Sequence, residues 1–460
     1  MRGRVRLIGA TAGAALLAPL GLWAWSDHGG APGPRLVPTE LRHRDPEATP
    51  AARRVYATLA GLENDARRGR PSRTLIGQHV ELQNERYNAE YGDYRGTKQP
   101  GYYYRKARDI TGKLPAFVEL DLGPGYDQPG WAVGEARSYN RAWPSCRRAW
   151  GYVEDAVDLA AGVWAGLPRA DDGSYRFSGT HRECATGTEV SLPDNGGRPA
   201  GLVGFSFHQP YPGSPVKGFP QTRHRDSPAA KDPGWFGRVV TEGTTEHRAL
   251  LHDLAFLADH LGYLAGRGVP VLLRPYHEMN TAPGRGFWWA GQDPAAFHRL
   301  WRLTYDYLVN RRGLHNLIFV WSPNSWNGSY GRDPRPYYPG GRYVDVVGVD
   351  DYSDTPAEPF GGGGWTEVWY RGLEEYRRPR IVAESFHVPL NAHQPRTLSR
   401  TPWVLWTVWG QALTYDNVSE PRGKNTAADV KHTYDSPKVI IGGHAVDRTP
   451  WAEITTQDVT

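Results

Sequence analysis

From residue 74 onward, apolar and polar residues alternate along this chain in two different periods. Short apolar and β-branched runs predict β-strands, and longer stretches with one apolar face predict helices between several of them. Eight strands are predicted, at 74–79, 114–122, 202–209, 269–277, 316–323, 344–350, 380–384 and 402–409. The clearest helices are predicted at 246–267, 294–311 and 365–377. Strands that alternate with helices indicate a parallel sheet, and eight in this order favour a closed (β/α)8 barrel over an open doubly wound sheet.

The predicted barrel forms a single domain. The chain has 460 residues, more than the roughly 250 that a barrel of this type needs. We assign residues 50–460 to this domain. Residues 132–199 are predicted to be a helix and an ordered insertion, because the interval is too long for one crossover helix. No Gly-rich phosphate turn follows the first strand, which argues against a dinucleotide-binding fold.

The first 26 residues predict export. Arg2, Arg4 and Arg6 precede an apolar stretch at 7–25, which is the pattern of a signal peptide. The stretch is also nearly long enough to span a bilayer, so a cleaved signal peptide and an uncleaved membrane anchor both stay open. Either one predicts a secreted or extracytoplasmic location. Residues 27–49 are rich in Gly, Pro, Arg and acidic residues and are predicted to be a linker.

Aromatic residues are unusually frequent, with 18 Trp, 25 Tyr and 12 Phe. Aromatic rings stack on the apolar faces of sugars, so this composition fits a carbohydrate site as well as an aromatic core. The net charge of +5 is spread along the chain without a basic run or a nucleic-acid-binding motif. We therefore expect no nucleic-acid partner, and we expect the chain to act as a monomer.

Polar and aromatic side chains recur where the predicted strands end. The active site of a (β/α)8 barrel lies at this carboxyl-terminal face. Glu278 and Glu384 are the only glutamates placed directly at such ends. Two facing carboxyl groups are what glycoside hydrolysis requires, one as the acid and one as the nucleophile. Asp121 ends the second strand and is interpreted as a structural residue bonded to neighbouring backbone.

The surroundings of the two glutamates predict opposite pKa shifts. Glu278 precedes the aromatic cluster at 287–289, so desolvation is expected to keep it protonated as an acid. Glu384 needs donors that hold it ionised, and Tyr352 and Arg274 are the candidates. No metal or organic cofactor is expected for this chemistry.

Several other catalytic chemistries lack their residues. His277 and Glu278 are not followed by a second histidine in HExxH register, and no GxSxG turn occurs. Cys146 and Cys184 match no CxxC motif, and two residues cannot form a zinc site alone. A disulfide between them and two buried thiols both stay open.

The segment RPYHEMN at 274–280, followed by GFWW at 286–289, resembles the acid/base region of glycoside hydrolase family 26. The resemblance continues through WSPN at 321–324, the strand at 343–350, Glu384, and the Trp-rich last strand. Weaker matches are GQH at 77–79 and SFH at 206–208. This family is best known for β-1,4-mannanases on a (β/α)8 barrel.

The resemblance implies a retaining endo-glycosidase that cuts internal β-glycosidic bonds of a polysaccharide by double displacement. By this likeness Glu278 is the acid/base and Glu384 the nucleophile, and the expected substrate is β-1,4-mannan or a related hexose polymer. The residues expected to bind substrate are His208, His277, Trp288, Trp289, Tyr352, Trp406 and Asn324. Among them, the three tryptophans are expected to form sugar-stacking walls.

Three segments depart from the family pattern, all where sugars are expected to bind. They are the loop at 281–285, the residues HQPY at 208–211, and SFH after Glu384. Family activities on β-1,3-xylan, mixed-linkage glucan or an exopolysaccharide therefore stay as alternatives. A barrel that binds carbohydrate without cleaving it is the alternative from another class, and the presence of both glutamates argues against it.

Overall fold

Eight parallel strands close into a ring in the computed structural model. They are β1 (Thr74–His79), β2 (Phe117–Asp121), β3 (Leu202–Phe207), β4 (Val271–Pro275), β5 (Leu317–Trp321), β6 (Val346–Asp351), β7 (Arg380–Ser385) and β8 (Leu405–Val408). Each strand pairs with the next one along the chain, and β8 pairs with β1. The closed (β/α)8 barrel is confirmed. Every strand lies within its predicted segment or extends one residue past it.

The structure describes residues 42–80, 102–123, 152–165, 175–176, 191–192, 201–215, 218–325, 330–352, 367–392, 396–414 and 425–442. Cys146, Cys184 and residues 7–25 lie outside these ranges, as does most of the predicted insertion at 132–199. Tyr175–Arg176 and Ser191–Leu192, inside that insertion, pair as two short antiparallel strands. Within the described ranges, no helix is long and apolar enough to cross a membrane.

Helices surround the barrel. They are α1 (Pro50–Arg67), α2 (Tyr102–Thr111), α3 (Tyr152–Ala165), α4 (Trp235–Val239), α5 (Thr245–Ala265), α6 (Pro294–Tyr305), α7 (Glu367–Gly372), α8 (Thr397–Arg400) and α9 (Ala427–Asp435), and a short strand β9 (Val439–Ile440) pairs with the start of β1. α5 begins after Thr244, whose hydroxyl accepts a hydrogen bond from the His247 amide at 3.1 Å. Such capping satisfies an amide that the first turn leaves unpaired.

The predicted linker is too long at its carboxyl-terminal end. His43, Asp45 and Ala48 are all buried. Asp45 lies 2.8 Å from the Nδ1 atom of His315, and the Thr49 amide donates to the His315 carbonyl at 2.8 Å. Residues 42–49 therefore pack on the barrel and belong to it, because their polar groups have partners there.

The side chains that point into the barrel follow one rule of alternation. An inner apolar cluster holds Leu75, Phe117, Leu202, Leu272, Ile318, Val346, Ile381 and Leu405, one from each strand, together with residues of α1. Successive side chains of a strand point to opposite faces, so every second residue beyond these also faces the axis. Two of those positions are Gly77 and Gly204, where an added Cβ would lie 2.8 Å and 2.3 Å from the ring of Phe117. The glycines make room for this ring in the lower barrel.

A β-bulge interrupts the alternation in β7. Val349 pairs with Val382, but the next residue of β6, Asp350, pairs with Glu384. One extra residue, Ala383, is thereby accommodated in β7. Ala383 belongs to the inner cluster, so strict alternation would turn Glu384 toward the helices. The bulge instead places Glu384 on the inner face beside Asp350, which is how bulges re-aim side chains near functional sites.

Candidate active site

The upper half of the barrel interior is polar. Continuing the alternation from the apolar layer leads to charged and polar side chains near the ends of the strands. They are His79, Glu119, Asp121, Ser206, Arg274, Ser322 and Asp350, and all are buried. Buried charges persist only when they are paired, and these side chains contact one another across the barrel axis.

Arg274 lies at the centre of this polar layer. Its Nε donates to Glu119 and its Nη1 to Asp350, each at 2.8 Å, and its Nη2 donates to Glu384. All four side chains are buried. One fixed positive charge thus faces three carboxyl groups, which cannot all ionise at equal cost.

The three carboxyl groups respond differently to this shared cation. Burial raises the pKa of Glu119, and burial together with the charge of Glu384 raises the pKa of Asp350 well above its usual value. Burial alone would also raise the pKa of Glu384. The positive charges of Arg274 and His79 outweigh that effect and lower it. Glu384 is therefore the carboxylate that stays ionised.

Tyr352 holds the second oxygen of Glu384. Its hydroxyl donates to Oε2, while Arg274 donates to Oε1. Burial and the charge of Glu384 raise the pKa of the Tyr352 phenol, so it remains a donor. Both donors predicted for Glu384 are present.

Glu278 lies in a strained turn after β4. Tyr276 and Glu278 have φ angles of 52° and 55°, in the left-handed region that residues other than glycine rarely adopt. Such strain persists only where the surroundings enforce it. The Glu278 amide donates to the Ser322 carbonyl at 2.8 Å, and the Tyr276 hydroxyl lies 2.8 Å from Thr304 Oγ1.

Buried hydrogen bonds from two sides secure this turn. Trp289 Nε1 donates to the His277 carbonyl at 2.8 Å. Asn280 Nδ2 donates to the Asn324 carbonyl at 3.0 Å, and the Asn324 amide donates back to Asn280 Oδ1 at 2.8 Å. Because Trp289 and Asn324 lie on two different segments next to this turn, the position of Glu278 depends on both segments.

The surroundings of Glu278 favour its protonated form. Burial, and then the negative charge of Glu384, raise the pKa of Glu278 to about 7, although a hydrogen bond from Asn324 acts in the opposite direction. Burial, and then the charge of Glu278, raise the pKa of Tyr330 to about 12. The opposite shifts of the two glutamates agree with the sequence-based expectation.

Two predicted substrate-binding histidines lie together beside this turn. The rings of His208 and His277 meet edge to face with centroids 4.7 Å apart, and both contact Phe287. Burial and the nearby Arg274 lower the pKa of His277 well below its usual value, so the ring is neutral near pH 7. Its Nδ1 atom has no hydrogen-bond partner among the described residues.

The predicted tryptophan walls do not match the structure. Trp288, Trp289 and Trp406 are fully buried. Their Nε1 atoms donate to the carbonyls of Gln209, His277 and His387, respectively. Because none of these rings is exposed to solvent, they support the mouth of the barrel from behind.

Other aromatic residues reach the mouth. Phe287 stacks on Trp289 with centroids 4.6 Å apart, and Trp409 stacks on His79 with centroids 4.0 Å apart. Phe287 and Trp409 are both partly exposed. The sequence-based selection missed Trp409, although the alternation from Leu405 through residue 407 points to it.

One group of possible metal ligands occurs among the described residues. Atoms of His277, Asp350 and Glu384 lie within 4.8 Å of one another. Asp350 and Glu384 are already bonded to Arg274. A metal ion there would lie beside a fixed positive charge, so we assign no metal site.

A closed (β/α)8 barrel with two carboxyl groups of opposite pKa shift at its mouth is the arrangement found in glycoside hydrolases. Residues 187–366 match the model of glycosyl hydrolase family 26. The resemblance to this family is confirmed over these residues. The matched stretch contains Glu278 and Tyr352 and ends before Glu384.

Curated relatives of this chain include mannan endo-1,4-beta-mannosidases. The chain is 36% identical over 140 residues to a mannan endo-1,4-beta-mannosidase of Bacillus subtilis, which is 29% of this chain and 36% of the relative. It is 32% identical over 193 residues to a mannan endo-1,4-beta-mannosidase of Thermothelomyces thermophilus, which is 42% of this chain and 35% of the relative. The matched stretches thus span about a third of each relative's length.

Solved structures share the fold over a longer stretch. GH26A from a Muricauda species aligns with a TM-score of 0.58 and 22% identity, over 86% of this chain and 97% of its own. A beta-mannanase from a symbiotic protist of the termite Reticulitermes speratus, complexed with gluco-manno-oligosaccharide, aligns with a TM-score of 0.59 and 22% identity, over 87% of this chain and 96% of its own. At this identity the likeness concerns the fold.

Proposed function

We propose that this chain is a retaining endo-glycosidase that hydrolyses internal β-1,4-mannosidic bonds by double displacement. The observation that carries the proposal is the pair of glutamates at the barrel mouth. Glu384 is ionised between Arg274 and Tyr352, and the pKa of Glu278 is raised to about 7. The first has the state of a nucleophile and the second that of an acid.

The first chemical step is glycosylation of the enzyme. Glu384 attacks the anomeric carbon while Glu278 gives its proton to the departing glycosidic oxygen, so the bond to the leaving sugar breaks as an ester bond forms. Arg274 and Tyr352 contact the oxygens of Glu384 and direct its lone pairs. In the second step Glu278, now ionised, removes a proton from water, which attacks the same carbon and restores both carboxyl groups.

The substrate assignment draws on the relatives. Those described above are mannan endo-1,4-beta-mannosidases, and one similar structure holds a gluco-manno-oligosaccharide. We assign His208, His277, Asn324 and Tyr352 to substrate binding. His277 Nδ1 has no partner among the described residues, which supports its role, because a sugar hydroxyl would supply one. Trp409 and Phe287 take over the stacking role first expected of the buried tryptophans.

The proposal also includes a cellular location and an oligomeric state. We assign residues 1–26 to a signal peptide or membrane anchor, which gives a secreted or anchored extracytoplasmic enzyme. The domain acts as a monomer on polysaccharide. Cell fractionation with amino-terminal sequencing of the mature chain tests the first assignment, and light scattering tests the second.

A hydrolysis panel tests the function. The full chain is assayed on mannan, glucomannan, mixed-linkage glucan, β-1,3-xylan and exopolysaccharide, with Glu384→Gln as the matched control. Cleavage of mannan that disappears in the control supports the proposal. Cleavage of another polymer alone would replace the substrate and retain the mechanism. Binding without cleavage of any glycan would contradict an enzymatic function.

Covalent trapping tests the role of Glu384 separately. A 2-deoxy-2-fluoro mannoside with a reactive leaving group slows the second step, so the glycosyl-enzyme ester accumulates. Peptide mass spectrometry should find the added mass on Glu384. A label on Glu278, or product of inverted configuration, would contradict the assignment.

A further inference from the structure

Asp121 lies at the end of β2 and contacts the side chains of Ser206, His208 and His79. Its Oδ1 atom accepts a hydrogen bond from the Ser206 hydroxyl and lies 2.7 Å from His208 Nδ1. Its Oδ2 atom lies 3.5 Å from His79 Nε2. All four residues are buried. The sequence-based interpretation of Asp121 as a residue bonded to backbone missed these contacts, and the mechanism above does not use them.

The two histidines contact different groups of aromatic residues at the barrel mouth, which we call its two walls. Trp409 and Tyr352 form the wall beside Glu384, and His277 and Phe287 form the wall beside Glu278. His79 stacks face to face on Trp409, with centroids 4.0 Å apart and an interplanar angle of 20°. Trp409 also meets Tyr352 edge to face at 6.4 Å, on the side of Glu384. His208 contacts His277 at 4.7 Å and Phe287 at 5.1 Å, on the side of Glu278.

We propose that Asp121 is a positioning residue that orients both walls at once by holding an N–H of each histidine. An ionised carboxylate has acceptors only, so each imidazole must present a proton to it. His208 is thereby protonated at Nδ1, and its Nε2 atom is left for a sugar hydroxyl. His79 is protonated at Nε2, and its plane fixes the face of Trp409. The wall role rests on the proposed function, whereas the proton positions do not.

The electrostatics agree with this geometry. Burial would raise the pKa of Asp121, but the charge and hydrogen bond of His208 and the hydrogen bond of His79 lower it well below its usual value. For His79, burial acts to lower the pKa, yet Asp121, Glu119 and Glu384 together raise it. An ionised Asp121 that faces the Ser206 hydroxyl and an N–H of each histidine is the consistent state.

An amide cannot replace this carboxylate. In Asp121→Asn, one terminal atom is still an acceptor but the other becomes an NH2 donor. Whichever way the amide is turned, one histidine then faces a donor and must present a bare nitrogen. The substitution preserves the shape of the side chain and forces one imidazole to change its proton position.

Nitrogen-15 NMR of the full chain, labelled at histidine, reads these protons directly. In the wild type we expect a proton on His208 Nδ1 and on His79 Nε2, assigned by comparison with His208→Gln and His79→Gln. A wild-type His208 protonated only at Nε2 would overturn the proposal. This measurement needs no variant of Asp121 to fold and no activity, so its failure is distinct from failure of the proposed function.

The variant then tests the consequence. Asp121→Asn should change the proton position of one of the two imidazoles and lower kcat/KM on polysaccharide by about 10–100-fold, the usual range for carboxylates that orient metal-bound histidines. Ser206→Ala is the matched control, since it removes a neighbour of Asp121 and leaves the carboxylate; both proton positions should stay. Unchanged imidazoles or unchanged kcat/KM in Asp121→Asn would overturn the proposal.

Discussion

Replacing Arg274 by Met removes the only cation that contacts three buried carboxyl groups among the described residues. Methionine fills much of the same space without charge or donors. The pKa values of Glu119 and Asp350 are already raised, and loss of the cation shifts both groups further toward their protonated forms. Glu384, which is ionised in the wild type, is then left as the uncompensated charge.

The expected loss follows from that single charge. Removing one partner of a buried ion pair costs about 3–5 kcal/mol, because the other charge stays buried without compensation. We expect Arg274→Met to lower the free energy of unfolding by this amount at pH 7.5, and not by three times as much. Activity on polysaccharide should be lost as well, since Arg274 directs an oxygen of Glu384.

The loss should depend on pH. In the wild type, the pKa of Glu384 is below its unfolded value, so its contribution to stability is present above about pH 4.3 and disappears as the pH falls further. In the variant, burial without a cation raises this pKa above the unfolded value. The penalty is then largest near neutral pH and shrinks as Glu384 takes up a proton. The difference between the two proteins should therefore be smaller at pH 5 than at pH 7.5.

Urea unfolding followed by tryptophan fluorescence measures both quantities. The matched control is Arg380→Met, at the other end of the barrel, where Arg380 Nε contacts Glu63 at 2.9 Å. Glu63 keeps Arg67 at 2.7 Å after that change, so the control should lose less stability. A loss below about 1 kcal/mol for Arg274→Met, or an equal loss at both pH values, would refute the single-charge argument.

Four further outcomes are expected. Glu384→Gln should abolish release of reducing ends from mannan with little change in the unfolding midpoint, and substantial residual turnover would contradict its role as nucleophile. Glu278→Gln should remove the basic limb of kcat/KM near pH 7 and should spare aryl mannosides with good leaving groups more than mannan; an unchanged limb would assign it to another group. Tyr352→Phe should move the acidic limb of kcat/KM to higher pH. In the wild type the Tyr352 hydrogen bond lowers the pKa of Glu384, and the variant loses that bond; a shift to lower pH would contradict this. Thr426→Ala should lower the free energy of unfolding by about 1 kcal/mol, since the hydroxyl of Thr426 caps α9 together with Asp429, and no change would show that the cap is dispensable.

Strand order and strand ends could be predicted because the hydrophobic period and the length of each segment are local properties of the sequence. Each predicted strand contains β-branched or apolar residues bounded by polar ones, and in a barrel all carboxyl-terminal ends meet at one face. That reasoning also found Arg274 and Tyr352 as the donors to Glu384. The left-handed conformations of Tyr276 and Glu278 could not be found in this way. They depend on partners such as Ser322, which the fold brings in from another strand.

The tryptophan prediction and the position of Glu384 both depend on the direction of side chains at the end of a strand. In β8, Leu405 belongs to the inner cluster, whereas Trp406 packs in a separate cluster of buried residues. Alternation therefore assigns Trp409 to the mouth and Trp406 to the support behind it. Alternation therefore corrects the choice of tryptophan. Applied to β7, the same rule would turn Glu384 away from the mouth, and only the bulge at Ala383 returns it. A bulge depends on the register of two strands, so alternation and strand pairing are needed together to place both walls of this site.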